Sequence, residues 1–224
     1  MMRPAIEDYL KATLALSETR RRVSTSALAE HIGVKPSSVT AMVQRLSRKR
    51  PRLVDYKSHQ GFRLTKAGTR IALDVVRRHR LIEQFLVTVL DYGWDQVHDE
   101  AHRLEHCVTP EFVDRIDRFL KFPEVDPHGR PIPRKDGSMI APSERPLSEV
   151  PTGESVRVSS VRSEEAEFLR YLTRVGLNLN ARVRILEAPP VGGIMRVEVG
   201  TGQKSEQHVI GDAIAKNIFV SHLG

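Results

Sequence analysis

Four of the nine histidines fall between positions 79 and 106, and carboxylates accompany them at short spacing. His79 and Glu83 are four residues apart, so on a helix they share a face. In the stretch HDEAHRLEH, His98, His102 and His106 recur every fourth residue, with Glu105 three residues after His102. Imidazole nitrogen mixed with carboxylate oxygen is a donor set for Mn²⁺, Fe²⁺, Co²⁺, Ni²⁺ or Zn²⁺ rather than for Ca²⁺ or Mg²⁺ alone. A single helical histidine is ordinarily a solvated or hydrogen-bonded residue. Three on one face with two reachable carboxylates would repel on protonation unless a cation organises them. The cluster lacks the layout of a hydrolase: HRLEH is not HExxH, and Glu105 does not stand where that motif places its base. VGTGQKS is not a phosphate-cradling loop either, since Gln203 interrupts the required Gly-Lys-Ser order. Cys107 is the one cysteine, so an internal disulfide is excluded; a core thiol in a reducing compartment is expected.

The elements ahead of this cluster carry a different chemistry. Residues 20–70 hold thirteen Lys/Arg against Glu30 and Asp55, a net of +11, while the rest of the chain nets −4. Basic charge gathered in one segment points to a polyanionic partner. Residues 4–18 form a helix by pattern, with Ile6, Leu10 and Leu14 on one stripe and Pro4 in its first turn. SALAEHI, a break at Gly33, and PSSVTAMVQRLSRK follow as two more helices. The second of these turns Val39, Met42, Val43 and Leu46 inward. LVDYK and FRLT are short strands joined through SHQG. Three helices and a hairpin in this order make a winged helix-turn-helix. The outer face of its third helix, with Lys35 just before it, presents Ser37, Ser38, Thr40, Ala41, Gln44, Arg45 and Arg48. Gln44 and Arg45 have the reach for base edges, and the small residues allow close approach to phosphates. Lys57 sits at the hairpin wing. The expected partner is double-stranded DNA.

From Thr65 a long apolar-periodic helix begins, and two shorter helices follow it. Ile71, Val75, Leu81, Phe85, Leu86 and Val89 exceed what so small a helical domain would bury alone, so a homodimer is expected. Residues 123–150 are rich in proline and poor in periodic apolar positions, and read as a tether ordered at its ends. The remaining alternation, in SVRVSSV, ARVRILEA and IMRVEVG, describes a small β barrel with one helical insert, SEEAEFLRYL. On that helix Glu164 and Glu167 would share a face. The domains expected are therefore 1–65, DNA-binding; 66–122, helical and metal-binding; 123–150, linker; and 151–224, β. No apolar run approaches the ~20 residues that span a bilayer. The first residues lack a signal peptide's apolar stretch, so a cytoplasmic protein without membrane contact is expected.

Several stretches carry a family resemblance: EDYLKATLAL, KPSSVTAMVQRL, RRHRLIEQFL, VHDEAHRLEH and DPHGRPIP. They resemble the DtxR/MntR family of metal-dependent repressors, closely to about residue 133 and loosely beyond. The resemblance implies a mainly α protein with a winged-helix domain, a helical dimerisation domain and a C-terminal SH3-like, FeoA-like domain. It implies a primary metal site at Asp8, His102, Glu105 and His106. A second site falls on His79, Glu83 and His98, with Glu164 and Glu167 matching its remaining ligands. Asp8 stands where iron regulators carry a thioether, and His102 where they carry Cys and MntR carries Glu. This donor set favours Mn²⁺, with Fe²⁺ the alternative and other divalent transition metals able to substitute. Lys11 stands where MntR has a carboxylate that helps hold two close metals, which implies two separated sites. The resemblance also implies a repressor of metal homeostasis acting as a dimer on a pseudo-palindromic operator, with no organic cofactor. Two other functions compete. A helical metallohydrolase would use the same cluster but leaves the basic module unexplained. A winged-helix regulator of an organic ligand would make the histidines structural.

Overall fold

A computed structural model describes residues 3–140, 142–188 and 193–223. The chain divides into two compact units, the first made of 1–79, 105–107 and 133–139 and the second of 80–104, 108–132 and 140–224.

The first unit opens with α1 (Pro4–Ser17), α2 (Thr25–Ile32) and α3 (Pro36–Arg48). Ser24 caps α2 by accepting from the Ala27 amide at 3.1 Å, and Gly33 ends it in the left-handed region at φ 68°. Pro36 then starts α3, where a missing N–H costs nothing. Strands β1 (Val54–Lys57) and β2 (Gly61–Leu64) pair antiparallel, Val54 opposite Leu64. Gly61, at φ 81°, lets the hairpin lie against the chain before α2. A Cβ there would stand 2.4 Å from the Val23 carbonyl oxygen, and Val23 and Phe62 exchange backbone hydrogen bonds of 2.8 and 2.9 Å. Leu10, Leu28, Val39, Val43, Leu46 and Phe62 fill the core. The unit continues into α4 (Lys66–Leu90), which Thr65 caps through its hydroxyl.

The second unit holds the end of α4, α5 (Val97–Leu104) and α6 (Pro110–Phe119). Leu81, Val113, Ile116 and Ile132 form one small core, and Ile82, Leu86, Val97 and Ala101 another. Its largest core lies under a six-stranded antiparallel sheet of order β3-β8-β4-β5-β6-β7. The strands are β3 (Arg145–Pro146), β4 (Ser155–Val161), β5 (Arg182–Glu187), β6 (Ile194–Val199), β7 (Glu206–Gly211) and β8 (Ile218–His222). Alternation along β4 and β5 sends Val156, Val158, Val183 and Ile185 into the core, where α7 (Ala166–Arg174) adds Leu169 and Leu172. A single turn, α8 (Asp212–Ala215), precedes β8.

Several expectations are corrected here. Val75, Leu81 and Leu86, expected at a dimer surface, are buried within the chain. Val89, also expected there, is exposed, as are Leu90, Tyr92, Phe112, Phe119 and Phe122. Helix α7 begins at Ala166, after an extended Glu165, so Glu164 precedes the helix and shares no helical face with Glu167. Within residues 123–150, read as a tether, Asp126, His128 and Ile132 are buried, and Leu147 and Val150 join the sheet's core. Cys107 is exposed rather than in a core.

Candidate metal centre and nucleic-acid interface

Helix α5 stops at Leu104, and residues 105–107 form a turn, so His106 leaves the helical line that His98 and His102 follow. The turn brings the two side chains of Glu105 and His106 to the first unit. There His106 Nε2 lies 2.8 Å from Asp8 Oδ1 and 3.4 Å from Glu105 Oε1. Ligand atoms on adjacent corners around an ion with ~2.1 Å bonds lie about 3 Å apart, so three donors on two elements converge as one ion requires.

The imidazole is held in the orientation a metal needs. Its other nitrogen, Nδ1, is 2.8 Å from Glu7 Oε2, and Glu7 is fixed by Arg78 at 3.0 Å. A proton on Nδ1 shared with Glu7 leaves the Nε2 lone pair facing Asp8 and Glu105. Glu7, which no reading of the sequence singles out, is buried at 5% exposure. Its one sequence signal is its place one turn ahead of Leu10 and one residue from the Ile6 stripe.

Glu105 is wholly buried and meets Lys11 and His79. Lys11 Nζ donates to both its oxygens at 2.8 and 3.1 Å, and His79 Nδ1 lies 2.7 Å from Oε2. Burial pushes this carboxyl up, but the His79 hydrogen bond and the Lys11 charge overcome that and hold it at about 2. It is therefore an ionised ligand at any physiological pH. The donor set of two carboxylates and an imidazole fits one borderline divalent ion. Lys11, by donating to both oxygens, already supplies one positive charge beside Glu105. His79 thus meets Glu105 through Nδ1, and its ring also offers a ligand atom within 4.8 Å of those of Glu83, His98 and Glu164. His102 lies exposed on the last turn of α5, three residues before Glu105 in the chain.

A separate acidic nest stands in the second unit. Glu83, fully buried on α4, has His98 Nδ1 of α5 at 3.6 Å and Arg130 at 3.7 Å. His98 Nδ1 also meets Glu164 at 2.6 Å. Burial disfavours the imidazolium, yet Glu164 and Glu83 raise His98 to about 9. Glu164 resists its own burial through His98 and Arg130 and falls to about 2. An open cleft of about 450 Å³ lined by Asp95, His98, Asp99, Glu164 and Glu165 reaches the nest from solvent. Glu167 is exposed and is not drawn into it. Sequence reasoning missed Asp126, His128 and Arg130, whose Asp-Pro-His-Gly-Arg run signals a turn but not its burial.

On the first unit, Lys35 just before α3 and Ser37, Ser38, Ala41, Arg45 and Arg48 on it are exposed, and Thr40 and Gln44 are half-buried. Thr40 bonds back to the Pro36 carbonyl at 3.0 Å, and Arg45 rests on the Met42 sulfur at 3.0 Å. Lys57 is exposed on the hairpin, whereas Arg22 and Arg63 are both engaged by Asp55 at 3.1 and 3.0 Å. Lys35, Arg45, Arg48 and Lys57 are exposed cations on or beside α3 and the hairpin.

Comparison with known proteins places these sites in a family. Residues 1–62 match the model of the iron dependent repressor N-terminal DNA binding domain, residues 65–134 that of its metal binding and dimerisation domain, and residues 145–222 the FeoA domain. The HTH-type transcriptional regulator MntR of Oceanobacillus iheyensis is 34% identical over 122 residues, covering 54% of this chain and 81% of that protein. The iron-dependent repressor IdeR of Mycobacterium tuberculosis is 29% identical over 220 residues, 93% of this chain and 94% of its own. The solved structure of a manganese-dependent transcriptional repressor complex with manganese superposes with a TM-score of 0.88 at 38% identity, covering 97% of this chain and all of that one. The relatives are transcriptional regulators and not enzymes. Among the described residues, no helix is long and apolar enough to cross a membrane. This chain belongs to the DtxR/MntR family of metal-dependent transcriptional regulators.

Proposed function

We propose that the chain is a Mn²⁺-responsive repressor that binds a pseudo-palindromic operator as a homodimer in the cytoplasm. The observation that carries the metal reading is the convergence of Asp8 Oδ1, Glu105 Oε1 and His106 Nε2. Asp8 belongs to α1 of the DNA-binding module, while Glu105 and His106 follow α5. An ion held by all three would fix α1 to the turn after α5, and so fix the attitude of α3. His102 is proposed as the fourth protein ligand. The metal would supply only that fixed charge and geometry, and no reaction follows. A hard Asp8 and the absence of thiolate or thioether donors favour Mn²⁺, and the manganese-dependent relatives agree; Fe²⁺ is the second reading, supported by IdeR.

For DNA, Gln44 and Arg45 are proposed to read base edges, with Ser37, Ser38, Thr40 and Ala41 packed close to the backbone and Lys35, Arg48 and Lys57 on phosphates. The exposed Phe112, Phe119 and Phe122, with Val89 and Leu90, form the surface proposed for the dimer contact. Glu83, His98 and Glu164, together with His79, are proposed as an accessory metal set; Glu167 is left outside it. The domains expected from the sequence are kept as the working division, 1–65, 66–122, 123–150 and 151–224. DNA binding measured across Mn²⁺, Fe²⁺, Co²⁺, Ni²⁺ and Zn²⁺, with and without chelator and with Fe²⁺ handled anaerobically, tests the metal assignment. Mn²⁺ activation at physiological micromolar levels supports it; activation by Fe²⁺ alone would reverse it.

A further inference from the structure

The accessory nest contains its own cation. Arg130 Nε donates to Asp126 Oδ2 at 3.1 Å, one terminal nitrogen contacts Glu164, and the other lies 3.7 Å from Glu83 Oε2. Its side chain is 13% exposed. The backbone beneath it is pinned on both sides. Asp126 Oδ1 accepts from the amides of His128 and Arg130 at 2.8 and 2.9 Å, and the Val161 amide of β4 donates to the His128 carbonyl at 2.9 Å. Gly129, at φ 80°, lies so close to β4 that a Cβ would stand 2.0 Å from the Ser159 carbonyl oxygen. Trp94 stacks on His128 at 6.0 Å and accepts through its carbonyl from His128 Nε2 at 2.9 Å. The guanidinium is therefore aimed by a rigid turn and not by a free surface side chain.

The charge arithmetic follows from these contacts. Three carboxylates, Glu83, Asp126 and Glu164, face two guanidiniums, since Arg80 Nε also lies 3.4 Å from Asp126. One negative charge remains for His98 or for a bound ion. A divalent cation entering beside both arginines would overshoot neutrality around the fully buried Glu83 and Asp126, where uncompensated charge is costly.

We propose that Arg130 is the resident cation of the accessory site and sets its affinity for divalent metal. The Asp8–Glu105–His106 set then fills first, and the accessory set fills only when the guanidinium releases Glu164. This inference rests on Glu83, His98 and Glu164 being the accessory ligands. Mn²⁺ titration calorimetry on the metal-free full chain tests it, with thermal melting as an independent readout. In wild type a tight event is followed by a weak one. In Arg130→Gln the weak event strengthens about ten-fold or more, the metal-free chain melts lower, and Mn²⁺ restores the melting temperature. Arg130→Lys, which keeps the charge but not the three directed contacts, falls between wild type and Arg130→Gln. A second event no tighter in Arg130→Gln than in wild type overturns the proposal. So does a variant that stays unfolded in saturating Mn²⁺, because the ion should replace the missing charge. Glu83→Gln placed on Arg130→Gln must abolish the strengthened event; its survival would instead refute the accessory ligand set.

Discussion

Asp8→Ala separates metal response from stability, because Asp8 and its neighbour Glu7 grip the same imidazole from different environments. Asp8 is 37% exposed in its side chain, and its contact with His106 is partly screened by solvent. Losing it should cost the metal-free chain under about 1 kcal/mol, a melting shift of at most about 2–4 °C. Glu7 is 6% exposed in its side chain and paired with an Arg78 that is 8% exposed. Removing one partner of such a buried pair costs about 3–5 kcal/mol, so Glu7→Ala should melt roughly 6–20 °C lower. The order reverses for regulation. Asp8 is the one proposed ligand on α1, so without it His102, Glu105 and His106 still bind Mn²⁺ but no longer fix the DNA-binding module. Coupling energies of ~1–3 kcal/mol translate into a loss of about 5–150-fold in Mn²⁺-stimulated DNA affinity. Fluorescence anisotropy on a labelled operator duplex, titrated with Mn²⁺, measures this directly, and differential scanning calorimetry measures the stability arm. An Asp8→Ala chain with the wild-type Mn²⁺ midpoint and wild-type DNA affinity would refute the linkage through α1.

Arg45→Ala or Gln44→Ala should cost roughly 1–3 kcal/mol on the preferred operator and relax its sequence preference, whereas Lys57→Ala should weaken all duplexes alike and shallow the salt dependence; equal binding by Arg45→Ala across salt would move the docking face elsewhere. Phe119→Glu with Phe122→Glu should give a folded monomer at micromolar concentration by analytical ultracentrifugation, and a persisting dimer would exclude this apolar surface. For pH, His98 is raised to about 9 in the metal-free chain, so its contribution to stability is full below pH ~6.5 and is lost as pH rises through about 9. The same proton competes with metal, so accessory-site Mn²⁺ affinity should rise about ten-fold per pH unit between ~6.5 and ~8.5, with one proton released per ion in calorimetry across buffers. Glu105 and Glu164, both lowered to about 2, contribute stability that is full above pH ~4.5 and lost as pH falls through about 2.

Most of the architecture is legible in the sequence because periodicity records which face is buried. The stripe Val39, Met42, Val43, Leu46 gives α3, and alternation gives β4 to β6, since both patterns follow from local geometry alone. The crowding of His102, Glu105 and His106 within five residues is legible for a similar reason, but their grouping with Asp8 into one proposed set rests on the family resemblance. What escaped depends on contacts distant in sequence. Only its place one turn ahead of Leu10 separates Glu7 from Asp8, and the partner that makes its burial possible, Arg78, lies seventy-one positions away. The helical spacing of His79 and Glu83 is local, but the contact of the His79 imidazole Nδ1 with Glu105 is not. The Asp126–Arg130 turn hides in a proline-rich run whose composition imitates a tether, because proline and glycine serve rigid turns and flexible linkers equally. The start of α7 was misread because SEE continues a helical composition while Glu165 adopts an extended backbone.

The central claim is that metal switches DNA binding, and selection of duplexes from a random library by the full chain tests it most directly. One arm contains Mn²⁺ and the other a chelator, at the same ionic strength. The account predicts a two-fold-related sequence enriched with Mn²⁺ and none enriched with chelator, the selected duplex losing affinity by at least about five-fold when metal is removed. The same sequence enriched to the same affinity in both arms would contradict it.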